Sequence, residues 1–174
     1  MIKSDNIEDI LKYYSQNGED KRHERHQLEF ALMKRVFKAY LSEKPLKILE
    51  LGAGSGHYTE FLAEMGHEIL ALEPTKVLIE FNEKKIREKK FEDRVRWLQA
   101  DARNLSMEIK NEKFDVVLNM GPFYHLEQKQ DRVSVMKQSL QALRSEGLHF
   151  GIFLSKVGYT SSVLSRQPES VMQD

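Results

Sequence analysis

The chain has no cysteine. That excludes a disulfide framework, a zinc–thiolate site and a thiol nucleophile. It has no net charge either, because 27 Lys and Arg balance 27 Asp and Glu. Nothing therefore supports broad electrostatic binding to nucleic acid or to an anionic membrane. No run of about 18 apolar residues occurs, and no N-terminal apolar segment follows a basic region. The expectation is a soluble, cytoplasmic chain with no membrane and no nucleic-acid partner. No internal repeat is visible. No GxxxxGKS/T phosphate loop is present, which argues against ATP or GTP. What is present is 40% apolar residues in a chain of 174. That is enough for a core and, by length, for one domain.

The rest of the chain is organised around residues 47–74, KILELGAGSGHYTEFLAEMGHEILALEP. Ile48, Leu49 and Leu51 form a short apolar run suited to a buried parallel strand. Gly52, Ala53, Gly54, Ser55 and Gly56 follow at once. Glycines there let the backbone turn tightly and approach a ligand without a side chain in the way. Tyr58, Phe61, Leu62 and Met65 then recur at helical spacing, and Gly66 is placed to end that helix. A second apolar run over residues 69–72 ends on Glu73 and Pro74. An acid at the tip of a second strand can accept hydrogen bonds from two ribose hydroxyls. The glycines are spaced GxGxG after Glu50, whereas the dinucleotide fingerprint is GxGxxG. The spacing thus speaks against a nicotinamide-dependent oxidoreductase. A Rossmann-like unit for another adenosine ligand, or for none, stays open at this point.

The flanking segments follow the same logic. Residues 5–14 predict a short helix with Ile7, Ile10, Leu11 and Tyr14 on one face and Ser4 or Asp5 as its cap. A longer helix is predicted over residues 25–41, with Leu32, Met33, Val36, Phe37, Ala39 and Tyr40 inward, and Pro45 marks its break. Thr75 is expected to cap a helix running to about residue 90, whose mixed Lys, Arg and Glu run reads as a solvated face. Strands are predicted over residues 95–100, ending on Asp101, and over residues 114–119, FDVVLN. Residues 127–144 predict a helix with Val133, Met136, Leu140 and Leu143 on its buried side. Gly147 opens a fifth predicted strand over residues 148–154, LHFGIFL. Beyond Ser155 the pattern fades.

Strands separated by helices predict right-handed crossovers and a parallel sheet of the α/β class. Ligands of such sheets sit at the carboxyl ends of the strands, where strand order reverses. The glycine turn, Glu73, Asp101 and residues 119–125 each follow a predicted strand. In the last of these loops His125 alone has a pKa suited to general base work. The alternative for His125 is to cap the next helix or pack under it. Tyr124 and Phe123 either line an acceptor site or belong to the core. His23 and His26 stand three residues apart, but no third ligand accompanies them, so no metal site is expected.

Glu50, the three alternate glycines, the helix and Glu73 together resemble motif I and the next acidic position of class I S-adenosylmethionine-dependent methyltransferases. Ala100, Asp101 and Ala102 resemble the position whose acid or neighbouring backbone holds the adenine amine. Residues 119–126, NMGPFYHL, are similar to the motif IV loop of a bacterial subgroup, often written GPLYHL. Arg25, His26, Gln27, Leu28, Glu29 and Phe30 are similar to that subgroup's N-terminal segment, which packs over the cofactor. Where the family usually has Pro-Gly-Gly, this chain has Ser145, Glu146, Gly147 and Leu148.

The resemblance implies a three-layer Rossmann-like parallel sheet with helices on both faces and strand order 3-2-1-4-5. Residues 1–44 would be a helical cap and residues 45–155 the core. The family's sixth and seventh strands have no counterpart, and residues 156–174 read as the start of a truncated substrate insertion. S-adenosylmethionine is the implied cofactor, S-adenosylhomocysteine the product, and a small molecule the acceptor. Cofactor contacts are implied for Glu50, Gly52, Ala53, Gly54, Ser55, Gly56, Tyr58, Glu73, Pro74, Asp101, Ala102, Asn119, Met120 and Gly121. His125 and Tyr124 are implied at the acceptor. The alternative is a cofactor-binding but inactive module that acts through a partner. Without a seventh strand beside it, the fifth strand should expose an apolar edge. A homodimer through that edge, a tail folded over it, or poor solubility is then expected.

Overall fold

The structure is a computed structural model and describes residues 27–158 and residue 161. The predicted helix over residues 5–14, together with His23, Arg25 and His26, lies outside the described residues. Helix α1 (Gln27–Tyr40) precedes β1 (Lys47–Leu51), α2 (His57–Glu64), β2 (Glu68–Leu72) and α3 (Lys76–Glu88). Then come β3 (Val95–Leu98), α4 (Leu105–Ile109), β4 (Phe114–Asn119), α5 (Lys129–Ala142) and β5 (Leu143–Gly151). All strand pairs are parallel, and the sheet order is β3-β2-β1-β4-β5, as expected. The order reverses between β1 and β4, and sheets of this kind bind ligands at the carboxyl ends of the strands beside such a reversal.

The alternation of strand side chains explains the three layers. Ile48, Ile69, Ala71, Val116 and Leu118 face one side, where they meet Phe37 and Leu41 at α1 and Leu62 and Ala63 of α2. Leu49, Leu51, Leu70, Leu72 and Val117 face the other, against Leu105 and Ile109 of α4 and Val135 and Ala142 of α5. Strands covered on both faces must be apolar at nearly every position, which is why they read as continuous runs. Each fully buried leucine of this set contributes about 1.5–3 kcal/mol.

Helix α2 ends as its glycine foretold. Gly66 has φ +97°, its N–H donates to Ala63 O at 3.0 Å, and His67 N–H donates to Leu62 O at 3.1 Å. This pair of bonds caps the last carbonyls, and the positive φ is free of cost only for glycine.

Other boundaries moved. The fifth strand begins at Leu143 rather than at residue 148, so the preceding helix stops at Ala142 and not at residue 144. Between Phe114 and Val116 of β4 the β5 partner jumps from Leu143 to Leu148. The intervening residues bulge, with Glu146 at φ +67°. The regular ladder starts only at Leu148, where the apolar pattern placed it. At the other end, β5 stops at Gly151 instead of Leu154. Ile152 N–H still reaches Asn119 O at 3.0 Å. Beyond that β4 turns away through Gly121, and no carbonyl ladder remains. The third strand likewise ends at Leu98, because β2 ends opposite it at Leu72.

Two helices are rotated from expectation. In α5 Met136, and Leu143 just beyond the helix, pack against the core as expected, but the buried residues are Val135, Ser139 and Ala142, and Val133 and Leu140 are exposed. Gln138 sets this rotation: its Oε1 accepts from Ser106 N–H at 2.8 Å and its Nε2 donates to Arg103 O at 2.9 Å. Small Ser139 and Ala142 then let the helix approach the sheet closely. In α1 the expected inner face holds only at Phe37, which is fully buried, with Met33 and Val36 half-buried. Leu32, Ala39 and Tyr40 are exposed. The ring of Phe37 stands edge-on to Tyr58 and Phe150, and this cluster decides which face turns in. Thr75 does occupy the N-cap of α3, but its buried hydroxyl makes no capping bond.

Candidate functional site

β1 runs directly into the glycine turn, and Gly52, Gly54 and Gly56 have φ of +68°, +56° and +69°. Those values are open to glycine and costly to other residues, which explains the alternate spacing. Gly52 and Ala53 N–H groups both donate to Leu72 O, at 2.8 and 3.1 Å. The turn is thereby bound to the tip of β2. Gly56 N–H folds back to Ala53 O at 2.9 Å, and α2 starts at the next residue.

Glu73 is buried at the tip of β2. One carboxylate oxygen accepts Gly54 N–H at 2.9 Å and the other accepts Thr75 N–H at 2.9 Å. The two bonds fix the direction of the carboxylate and join the glycine turn to the start of α3. Pro74 lies beside it, and its carbonyl accepts from Gln99 Nε2 at 3.3 Å.

Glu50 sits beneath the turn and is wholly enclosed. Burial raises its pKa from 4.5 to about 7; the Thr59 hydroxyl, donating at 2.6 Å, opposes this, and the charge of nearby Glu73 adds to it. An uncharged carboxyl is cheaper to bury than a carboxylate. Two acids thus stand together under one turn, and the more deeply buried one holds its proton to near neutrality.

Residues 119–126 lie beside the turn on the β4 side. Asn119 is fully buried, and neither its amide oxygen nor its amide nitrogen has a hydrogen-bond partner. A buried amide left in that state is costly unless something supplies partners. Met120 is buried, and Gly121 touches the turn: a Cβ there would lie 3.2 Å from Gly52 O. In return, a Cβ on Gly52 would lie 2.9 Å from Pro122 Cδ. The two loops therefore pack closely, and Gly52, at a positive φ and under Pro122, has no room for a side chain. A 3-10 turn, Pro122–Tyr124, follows, and His125 ends it with N–H donated to Pro122 O at 2.9 Å. The rings of Tyr124 and His125 lie 4.6 Å apart, both half-buried.

Asp101 and Tyr58 have partners of their own within the fold. Asp101 is turned to Arg103, accepting from its N–H at 2.8 Å and its guanidinium at 2.6 and 3.1 Å. It caps the Ala102–Asn104 turn, where Ala102 is buried. Tyr58, in the first turn of α2, packs on Phe30 and Phe37 and donates its hydroxyl to Glu29 at 3.3 Å. Among the described residues no group of three or more His, Asp or Glu is arranged to hold a metal.

The sequence reading missed Asn82 and Lys85. Asn82 Nδ2 donates to Gly54 O at 2.8 Å, and Lys85 Nζ lies 3.4 Å from Ser55 O and 2.8 Å from Glu60. A signal for Asn82 existed: it interrupts the apolar stripe of Leu78, Ile79 and Ile86. Lys85 falls in a run of mixed charge that reads as a solvated face, and nothing in its spacing sets it apart.

The methyltransferase domain family matches residues 48–147, more than half of the chain. The chain is 30% identical over 125 residues to a protein from Pelagibacter ubique (strain HTCC1062) named ubiquinone biosynthesis O-methyltransferase. That match covers 69% of this chain and 48% of the relative. The fold is similar to that of PH0226 from Pyrococcus horikoshii OT3, with TM-score 0.67 and 21% identity over 91% of this chain and 71% of that one. It is also similar to the N-methyltransferase NodS of Bradyrhizobium japonicum WM9, whose structure holds S-adenosylhomocysteine. There the TM-score is 0.63 and identity 19%, over 78% of this chain and 66% of that one. The chain spans 48% and 35% of the lengths of the two curated relatives it matches. Among the described residues no helix is long and apolar enough to cross a membrane. A match that takes in β1, the glycine turn, Glu73 and the loop after β4 places this chain in the methyltransferase domain family.

Proposed function

We propose that the chain binds S-adenosylmethionine at the carboxyl ends of β1 and β4 and passes its methyl group to a small-molecule acceptor. The observation that carries this reading is the convergence of the turn of residues 52–56, Glu73 and the unpartnered amide of Asn119 at the carboxyl ends of the three central strands. Membership of the methyltransferase domain family supports it, as does a relative named as an O-methyltransferase. The cofactor fits the residues present. Backbone N–H groups beside the start of α2 suit its carboxylate, and Glu73 suits its ribose hydroxyls. The Asn119 amide, or its carbonyl, suits the ammonium. The backbone around Asp101 and Ala102 suits the adenine. The loop of residues 119–126 belongs, on this reading, to the GPLYHL-like subgroup.

The cofactor supplies a methyl group on a sulfonium with its leaving group already built in. The chain's task is to hold the acceptor in line with that bond. Tyr124 and His125, on the loop after β4, are assigned to the acceptor, and His125 is assigned its proton.

Calorimetric titration with S-adenosylhomocysteine tests this. The parent should bind, and ligand at 100 times Kd should add about 2.7 kcal/mol of stability. Glu73→Ala should weaken binding by about 1.5–3 kcal/mol, the range for hydrogen bonds to a charged group. His125→Ala should leave cofactor affinity unchanged. No heat and no melting shift with the parent at millimolar ligand would end the reading.

The assembly proposal concerns β5, which pairs with β4 on one side and with no strand on the other among the described residues. Phe153 and Leu154 beyond it are exposed. Such an edge favours pairing with a second copy. Light scattering is expected to show a dimer; a soluble monomer whose amides at Phe150 and Gly151 exchange freely would contradict this.

A further inference from the structure

We propose that Asn82 is a positioning residue that aims the backbone of the glycine turn at the cofactor. The inference rests on the cofactor reading above and assigns a role to a side chain on a neighbouring helix. Asn82 is 1% exposed and lies on the buried stripe of α3. An amide on such a stripe displaces an apolar side chain and needs a reason. Its Nδ2 donates to Gly54 O at 2.8 Å. Gly54 O only accepts, so the amide cannot be flipped without setting two oxygens against each other.

The fit is close on the second side as well. A Cβ on Gly56 would fall 2.7 Å from Asn82 Oδ1 and 3.2 Å from Nδ2, so the amide lies directly against that glycine. Oδ1 is buried and has no hydrogen-bond partner. The side chain is thus kept with one half unsatisfied, and its one bond goes to the glycine turn. Lys85, almost one helical turn on, reaches the next carbonyl, Ser55 O, at 3.4 Å.

The consequence follows from the planar trans peptide, in which C=O and the following N–H point in opposite directions. Drawing Gly54 O toward α3 turns Ser55 N–H away from α3. Gly54 N–H is already committed to Glu73 and Gly56 N–H to Ala53 O. Asn82 therefore sets the direction of the N–H group between them. Without it the Gly54–Ser55 peptide plane is free to rotate, because glycine has no steric preference to hold it.

The test compares S-adenosylhomocysteine affinity, by calorimetry, in the parent, Asn82→Ala, Asn82→Asp and Ile86→Val. Ile86 is buried on the same helix and touches no part of the turn through a hydrogen bond, so Ile86→Val controls for a simple loss of stability. Asn82→Ala should weaken binding about tenfold, the upper range for one neutral hydrogen bond, and Ile86→Val less than about twofold. Asn82→Asp keeps the shape but sets a carboxylate against Gly54 O. Its binding should be weaker than the parent's at neutral pH and should recover toward acid pH, as the protonated carboxyl regains a donor. Asn82→Asp also serves if Asn82→Ala does not fold. Affinity unchanged in both Asn82 variants would overturn the inference and leave the cofactor reading intact. So would equal weakening in Asn82→Ala and Ile86→Val. A parent that does not bind at all would overturn both.

Discussion

Raising the pH from about 5 to about 8 is expected to cost the parent chain about 2.5 kcal/mol more stability than it costs Glu50→Gln. The reason is the enclosed carboxyl beneath the glycine turn. In the unfolded chain Glu50 titrates near its ordinary value of 4.5, and in the folded chain at about 7. Between those values the folded state binds a proton that the unfolded state has lost, so stability falls as pH rises. The contribution is complete below 4.5 and is lost as pH passes through about 7. Gln keeps an oxygen for the Thr59 hydroxyl and carries no charge, so it removes the titration without removing the bond.

Other groups bend the same curve, which is why the comparison is a difference. Burial, and for His67 also Arg94, lowers the pKa of His67 and His149, so their contribution grows as pH rises toward 6.5. Glu60, Glu112 and Asp115 are partly buried, which alone would raise them, but lysine and arginine partners bring each below its ordinary value. Their stabilisation is present at neutral pH and lost in acid. All five remain in Glu50→Gln. Melting curves of the two proteins across this range should converge in acid and separate by roughly 5–10 °C at the alkaline end, at about 2–4 °C per kcal/mol for a chain of this size. Parallel curves would mean that Glu50 does not titrate as an enclosed acid.

Gly56→Val is expected to destabilise the fold by about 2–5 kcal/mol and to abolish cofactor binding in whatever remains folded. Two costs combine. A residue with a Cβ at φ +69° pays about 1–2 kcal/mol for the left-handed backbone, and valine, branched at Cβ, suits it poorly. The Cβ would also stand 2.7 Å from Asn82 Oδ1. Overpacking of this kind typically costs about 1–3 kcal/mol. The components can be separated: Asn82→Ala in the Gly56→Val background removes the clash and leaves the backbone strain. The double variant should therefore recover part of the loss, a positive coupling between residues in contact. Denaturant titration of the four proteins measures it. Strict additivity would show that the close approach has no energetic weight, and a Gly56→Val protein as stable as the parent would show that the turn does not need its left-handed residue.

Some of this was legible in the residues alone. The strands of the sheet could be read because a strand buried on both faces is apolar at most positions, as at Ile48, Leu49 and Leu51 or Val116, Val117 and Leu118. The glycine turn could be read because three left-handed positions in five residues strongly favour glycine at each of them. Glu73 could be read because an acid following an apolar run is rare without a purpose. These features are local: each is set by a residue's own backbone or by its neighbours in sequence.

Tertiary structure alone decided the rest. The rotation of α5 was misread because apolar spacing favoured Val133 and Leu140, whereas Gln138, clamped to Arg103 and Ser106, turns a face of Val135, Ser139 and Ala142 inward. The start of β5 was misread because the jump from Leu143 to Leu148 depends on β4 beside it. The shifted pKa of Glu50 comes from being enclosed near Glu73, 23 residues later in the chain. The role of Asn82 arises from contact with Gly54, 28 residues before it. Hydrogen bonds, clashes and electrostatic fields act over a few ångströms of space, and only the folded chain determines which distant residues come that close.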